Sequence, residues 1–170
     1  MIAVDQDPLG VQATVVSNAN SQWTLNKPLA NGDKAVVLFN AGTTTTGSSV
    51  SLSDLGLDAT RPYIVRDLWT HETTATQGTL GADVASHGTA MYRISADTFT
   101  NLRAVVGQYS TDPDVTSGLN DKLTAAENSR TASARDNQIN AFVNLVTAQT
   151  GKALTADQAS ALIELANALK

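Results

Sequence analysis

The spacing of hydrophobic positions changes near residue 96. Before it, short β-like runs recur between turn residues. Ala35-Val-Val-Leu-Phe-Asn40 is almost wholly apolar, the pattern of a strand buried on both faces. Val50-Ser-Leu-Ser53, within a run at residues 48–53, alternates as a half-buried strand does. Further runs at residues 12–17, 22–26, 63–67, 79–84 and 89–94 bring the predicted strands to seven. Asn31-Gly32-Asp33 lies between two of them and predicts a tight turn, whereas Ala41-Gly42 and the four threonines after it predict a looser one. Short strands that each end in turn residues predict an antiparallel, Greek-key-like β-sandwich.

After residue 96 the period becomes helical. Leu102, Val105, Val106 and Tyr109 share one helix face; Ile139, Phe142, Val143 and Val146 repeat the spacing, and Ala159, Leu162, Ile163, Ala166 and Leu169 extend it. Leu119, Leu123 and Ala126 mark a weaker helix between these. Thr155-Ala-Asp-Gln158 has the form of a capping box, and Ser133-Ala-Arg-Asp136 is a second candidate start. Gly151 sits where the third strong helix should end. The expected organisation is a lead-in segment at residues 1–11, a sandwich at 12–96 and an all-α bundle of three or four helices at 97–170.

Composition narrows the function. With 170 residues the chain is too short for an eight-fold α/β barrel, which takes about 200 or more. The net charge is −5, spread over both halves: five basic against eight acidic residues up to residue 96, six against eight beyond it. That balance argues against nucleic acid and against an anionic membrane surface as partners. No apolar run is long enough to span a bilayer, and Met1-Ile-Ala-Val-Asp5 lacks the basic start of a signal peptide. The absence of cysteine removes disulfides, thiolate catalysis and Cys-based zinc sites.

The search for catalytic chemistry yields no constellation. His71-Glu72 opens like a helical zinc motif, but Ala75 stands where the second His belongs. His71 and His87 have no third ligand at metal spacing and read as turn residues. Asp112 and Asp114 suggest a calcium loop, yet its twelfth position is Leu123 instead of Glu; a turn and helix cap is the simpler reading. Asp5 with Asp7, and Asp54 with Asp58, are paired acids without any sign of a facing cleft. No phosphate loop and no nucleophile elbow occurs, and no cofactor or metal is expected. Trp23 and Trp69 fall in strand-like runs and read first as packing residues, although an aromatic face also suits a sugar ring.

Two ordered sets of residues carry a resemblance. Ile2-Ala-Val-Asp-Gln-Asp-Pro-Leu-Gly10 resembles the segment that leaves the catalytic barrel in glycoside hydrolase family 27, the α-galactosidases or melibiases. Trp23, Lys27-Pro-Leu-Ala-Asn-Gly32, Ala35–Asn40, Leu52-Ser-Asp-Leu-Gly-Leu57, Tyr63-Ile-Val-Arg-Asp-Leu-Trp-Thr-His71 and Val84-Ala-Ser-His-Gly88 through Met91 and Arg93 follow in the order of that family's C-terminal β-sandwich. The resemblance covers residues 2–94. It implies a noncatalytic region of a larger retaining α-galactosidase-type enzyme, packed on the catalytic barrel of the same protein and secreted as part of it. The family's two catalytic aspartates lie on barrel strands that no position here matches, so no catalytic residue carries over. The residues beyond 96 are similar, more loosely, to the FIMAH module of secreted bacterial hydrolases, for which attachment or polysaccharide binding is the implied role. Two alternatives remain on the residues alone. One is a carbohydrate-binding module with Trp23, Trp69, Tyr63 and Tyr92 as platforms. The other is a homodimer formed through an interface the barrel would otherwise cover.

Overall fold

The computed structural model describes residues 2–96 and 98–170; Met1, part of the N-terminal reading above, and Asp97, the expected start of the bundle, lie outside them. The chain divides after Ala96 into two compact units.

The first unit begins with a single helical turn, α1 (Ile2–Asp5), followed by eight strands. These are β1 (Thr14–Ala19), β2 (Gln22–Pro28), β3 (Lys34–Asn40), β4 (Thr46–Ser51), β5 (Tyr63–Asp67), β6 (Thr73–Thr76), β7 (Thr79–Val84) and β8 (Thr89–Ala96). A short 3₁₀ turn at Ser53–Leu55 takes the end of the run expected at 48–53. One sheet has six strands in the order β1-β2-β3-β8-β5-β6, and the other has only β4-β7. All pairings are antiparallel. The chain therefore crosses between sheets after β3, β4, β6 and β7, and the sandwich is lopsided.

The seven-strand expectation missed β6, which pairs with β5 from Thr73 to Thr76. Its sequence, Thr-Thr-Ala-Thr, has no apolar alternation, and only its pairing with β5 defines it. The β1–β2 turn was also hidden: Asn20 and Ser21 both take positive φ, 51° and 62°, as a two-residue primed hairpin turn requires. Neither residue is glycine, so the sequence did not advertise it.

The sandwich core lies between the sheets. Val36 and Leu38 of β3, Ile94 of β8 and Val65 of β5 meet Val50, Leu80 and Val84 of the smaller sheet, with Leu52 and Leu55 closing one end. Asn40 is fully buried beside this core. Its side-chain nitrogen donates to the carbonyls of Thr44, Val84 and Ala85, and its oxygen accepts from Gly42 N–H and Gln22 Nε2. One polar side chain thus joins the end of β3 to the end of β7, in place of backbone pairing that the two-stranded sheet cannot supply.

The second unit comprises four helices: α2 (Phe99–Tyr109), α3 (Pro113–Glu127), α4 (Ala132–Gln149) and α5 (Ala156–Ala168). Each has a side-chain N-cap, satisfying a backbone donor that the helix leaves orphaned. Thr98 Oγ1 accepts from Asn101 N–H, and Asp112 accepts from Asp114 and Val115 with Pro113 in the first helical turn. The capping box forms as expected, Thr155 Oγ1 to Gln158 N–H at 3.2 Å and Gln158 Oε1 to Thr155 N–H at 2.9 Å. The start of α4 differs from expectation: Thr131, not Ser133, is the cap, accepting from Ala134 N–H. Gly151 adopts φ 75° just beyond the end of α4. The stripes read from the sequence supply most of the core: Leu102, Val106, Leu119, Leu123, Ile139, Phe142, Val146 and Leu162 are fully buried, whereas Tyr109, Val143, Ile163 and Leu169 are only part-buried and fully buried Leu165 lies outside the expected stripes.

Candidate functional site

The six-stranded sheet has a second face, and it is apolar too. Directly paired residues lie on the same side of a sheet. Val15 of β1 pairs with Leu25, Leu25 with Val37 and Val37 with Met91, so one hydrophobic row crosses four strands. Trp23 pairs with Phe39 in the next row on that face. None of these six belongs to the core between the sheets, except that Met91 packs on a small separate cluster. Val15 is 54% exposed, and Trp23, Leu25, Val37, Phe39 and Met91 are part-exposed. This corrects the reading of Ala35–Asn40 as buried on both faces. The strand is apolar on both faces, but of its apolar residues only Val36 and Leu38 on one side, and Ala35 on the other, are closed off from solvent.

The segment before β1 is seated on this outer face. Val4 of α1 is buried with Leu29, Ala35 and Leu68, and Met91 packs against them. Beyond Val4, the Asp7 carboxylate accepts from Ala30 N–H through both oxygens, at 3.0 and 3.1 Å, and from Leu9 N–H. Gly10, at φ 65°, then redirects the chain towards β1. A cleft of about 380 Å³ opens beside α1, lined by Ile2, Val4, Asp5, Lys27 and Met91. Ile2, Leu9 and Val11 remain exposed at 72%, 46% and 41%.

The aromatic candidates separate. Trp23 lies on the outer face in β2. Trp69 was read within a strand-like run but occupies the turn after β5, where its N–H and that of Thr70 donate to Asp67 Oδ1, and it is 50% exposed. Tyr63 is no platform: it is buried in the core and its hydroxyl accepts from Asp58 N–H. Tyr92 lines a second cleft, of about 300 Å³, with Val65 and Leu80 against Asp67, Glu72 and Thr74. That cleft exists because the two-stranded sheet is too narrow to cover β5 and β6. Burial, and then the charge of Asp67, raise the Tyr92 pKa. The structure thus does not gather the four aromatics into one site.

The remaining candidates act locally. His71 and His87 both hold positive φ, 65° and 54°, in turns. Asp58 accepts from the hydroxyl and N–H of Thr60, and these hydrogen bonds, with nearby Arg61, lower its pKa at the surface. Asp112 is a helix cap. Among the described residues no three His, Cys, Asp or Glu side chains come together as a metal site, and no helix is long and apolar enough to cross a membrane. The functional residues missed by sequence reasoning are Val15, Leu25, Val37, Phe39 and Met91. The signal was present in the doubly apolar β3, but only register shows that side chains of four strands share its face.

The fold of the first unit defines an antiparallel β-sandwich domain. Residues 19–94 match the family model described as the α-galactosidase C-terminal β-sandwich domain. The chain is 38% identical over 96 residues to an α-galactosidase A of Aspergillus niger, covering 56% of this chain and 18% of that protein. It is 40% identical over 92 residues to an α-galactosidase of Oryza sativa subsp. japonica, covering 54% of this chain and 22% of the relative. Among solved structures, α-galactosidase I of Mortierella vinacea matches with TM-score 0.53 and 27% identity, over 55% of this chain and 25% of that one. A β-L-arabinopyranosidase of glycoside hydrolase family 27 from Geobacillus stearothermophilus matches with TM-score 0.51 and 28% identity, over 56% and 21%. The chain spans about a fifth of the length of the curated relatives it matches.

Proposed function

We propose that this chain is the noncatalytic C-terminal region of a larger α-galactosidase-type retaining glycosidase, and that the outer face of its six-stranded sheet packs on the catalytic (β/α)8 barrel of the same protein. The observation that carries this reading is the part-exposed row Val15, Leu25, Val37 and Met91 with α1 seated beside it. A sheet face this apolar is suited to burial, and exposed apolar patches of this kind mark interaction surfaces. Because α1 already lies on that face, a polypeptide joined to it is delivered there. Ile2, Leu9 and Val11 extend the same surface. The role of residues 1–11 is then the exit from the barrel, that of residues 12–96 its support, and that of 97–170 an appended attachment module. The chain contributes no catalytic group, and it leaves the cell with its parent enzyme.

The test is a lysine at Leu25 or Val37, made in the chain alone and in the full-length protein encoded upstream of it. The chain alone should keep its melting temperature, while the full-length enzyme should lose aryl α-galactosidase activity and stability. An unchanged full-length enzyme would overturn the reading, as would a stop codon immediately upstream in frame.

A second reading is favoured by the half-exposed Trp69 alone: a carbohydrate platform outside the barrel interface, with Tyr92 in the neighbouring cleft. Quenching of tryptophan fluorescence by galactosides, abolished in Trp69→Ala and kept in Trp23→Ala, is the outcome that reading requires.

A further inference from the structure

The β2–β3 turn holds the chain's one Asn-Gly sequence, Asn31-Gly32, and the surrounding geometry gives that dipeptide a consequence. Asn31 is exposed, and Gly32 has φ 88°, with nothing within 4 Å of where a Cβ would be. The Asn31 side chain folds forward: its Oδ1 accepts from Asp33 N–H at 3.2 Å and its Nδ2 donates to Asp33 Oδ2 at 2.9 Å. That same Oδ2 accepts from Arg93 Nε at 2.6 Å and Ser95 Oγ at 2.9 Å, and Asp33 is only 7% exposed. On the other side of the turn, Leu29 holds Val4, and Ala30 N–H holds the Asp7 carboxylate. Five residues therefore join α1 to the hairpin and the hairpin to β8.

We propose that Asn31 is a deamidation site whose conversion loosens the α1 segment from the sandwich. In the first step the Gly32 backbone nitrogen bonds to the side-chain carbonyl carbon of Asn31. The bond from that carbon to the side-chain nitrogen breaks, and the nitrogen leaves as ammonia with the proton from Gly32. The resulting succinimide is opened by water at either carbonyl, giving aspartate or isoaspartate. No other reactant is needed. Glycine offers the attacking nitrogen no Cβ to obstruct it, and the Asx-type fold of Asn31 already turns its carbonyl carbon towards the following backbone. The attack requires Gly32 N–H to leave the Leu29 carbonyl, a single bond in an exposed turn.

The product differs from asparagine where the network is tightest. A carboxylate at 31 has no donor for Asp33 Oδ2 and brings a like charge beside a buried carboxylate. Isoaspartate also lengthens the backbone between Leu29 and Asp33, whose N–H and carbonyl close the hairpin. Both changes act on the turn that carries Val4 and Asp7.

The experiment is peptide mapping by mass spectrometry of the intact chain held at mildly alkaline pH, with hydrogen exchange on Asn31→Asp. The amide-to-acid change should accumulate at Asn31 several-fold faster than at Asn20 and Asn128, exposed asparagines that precede serine, and should appear as an aspartate and isoaspartate pair. In Asn31→Asp, exchange of the Ala30 amide should speed several-fold while the Val36 and Leu38 amides keep their protection. Equal rates at the three asparagines overturn the site. Unchanged exchange at Ala30 overturns the release of α1.

Discussion

The two units use their hydrophobic residues differently. In the helical unit the centre of each apolar stripe is buried internally, and only flanking members such as Val143 and Ile163 are part-exposed. The large hydrophobic side chains that stand exposed among the described residues, Ile2, Leu9, Val11, Val15 and Trp69, all belong to the β-unit. The β-unit also has two apolar sheet faces and a second sheet of only two strands to cover one of them. The helical bundle leaves no large hydrophobic side chain fully exposed among the described residues, whereas the sandwich leaves one sheet face part-exposed. Burial of the leftover face supplies a driving force of roughly 25 cal/mol per Å², independent of any catalytic contact.

The largest effect that would sharpen this contrast is core truncation. Phe142→Ala removes the largest fully buried side chain of the bundle and should cost about 3–5 kcal/mol. Calorimetry should show the helical transition fall while the β-unit's transition stays in place; loss of both together would break the claim that each unit owns its core. Asn40→Ala should follow at about 2–3 kcal/mol, because the carbonyls of Val84 and Ala85 and the N–H of Gly42 lose their partner. Urea unfolding followed by β-sheet circular dichroism would measure it, and a cost below about 0.5 kcal/mol would show that water replaces the side chain. Thr155→Ala should cost about 1 kcal/mol through the loss of the α5 capping box, read in the helical transition.

A pH effect should be of similar size. Burial pushes the Tyr109 pKa up to about 12. The folded state thus favours the protonated phenol over the unfolded chain, which titrates near 10. The stabilisation is complete below pH 10 and is lost as pH rises towards 12. For this part-exposed ring it amounts to roughly 1 kcal/mol after solvent screening. Tyr109→Phe should flatten that alkaline loss in the helical transition. The smallest effect expected is that of Leu25→Lys on the chain alone, within about 0.5 kcal/mol, since it lies on the part-exposed outer face. The same change should reduce binding of a hydrophobic dye and any concentration-dependent dimer seen in sedimentation. A large destabilisation would mean that the face is already part of the core.

How far the sequence reached depended on range. Helix stripes and caps were legible because residues three and four apart meet within one element, so Leu119, Leu123 and the Thr155–Gln158 box needed no tertiary knowledge. Asn31-Gly32 was legible as a turn for the same local reason. The α4 cap was misplaced by two residues because Thr131 and Ser133 carry the same chemistry, and only backbone geometry chooses between them. The Asn20-Ser21 turn was hidden because neither residue is glycine, and β6 because Thr73–Thr76 has no apolar alternation and only its pairing with β5 defines it.

By itself the sequence determined a β-rich unit followed by a helical one and the change of period near residue 96, because each depends on residue type and local spacing. The tertiary structure decided which side of each strand faces the core. It buried Tyr63, exposed Trp69, seated α1 on the sheet and aligned Val15, Leu25, Val37 and Met91 into one surface. A one-residue change of register would turn each of those side chains to the opposite face. Pairing across strands fixes that register, and no single strand's sequence contains it.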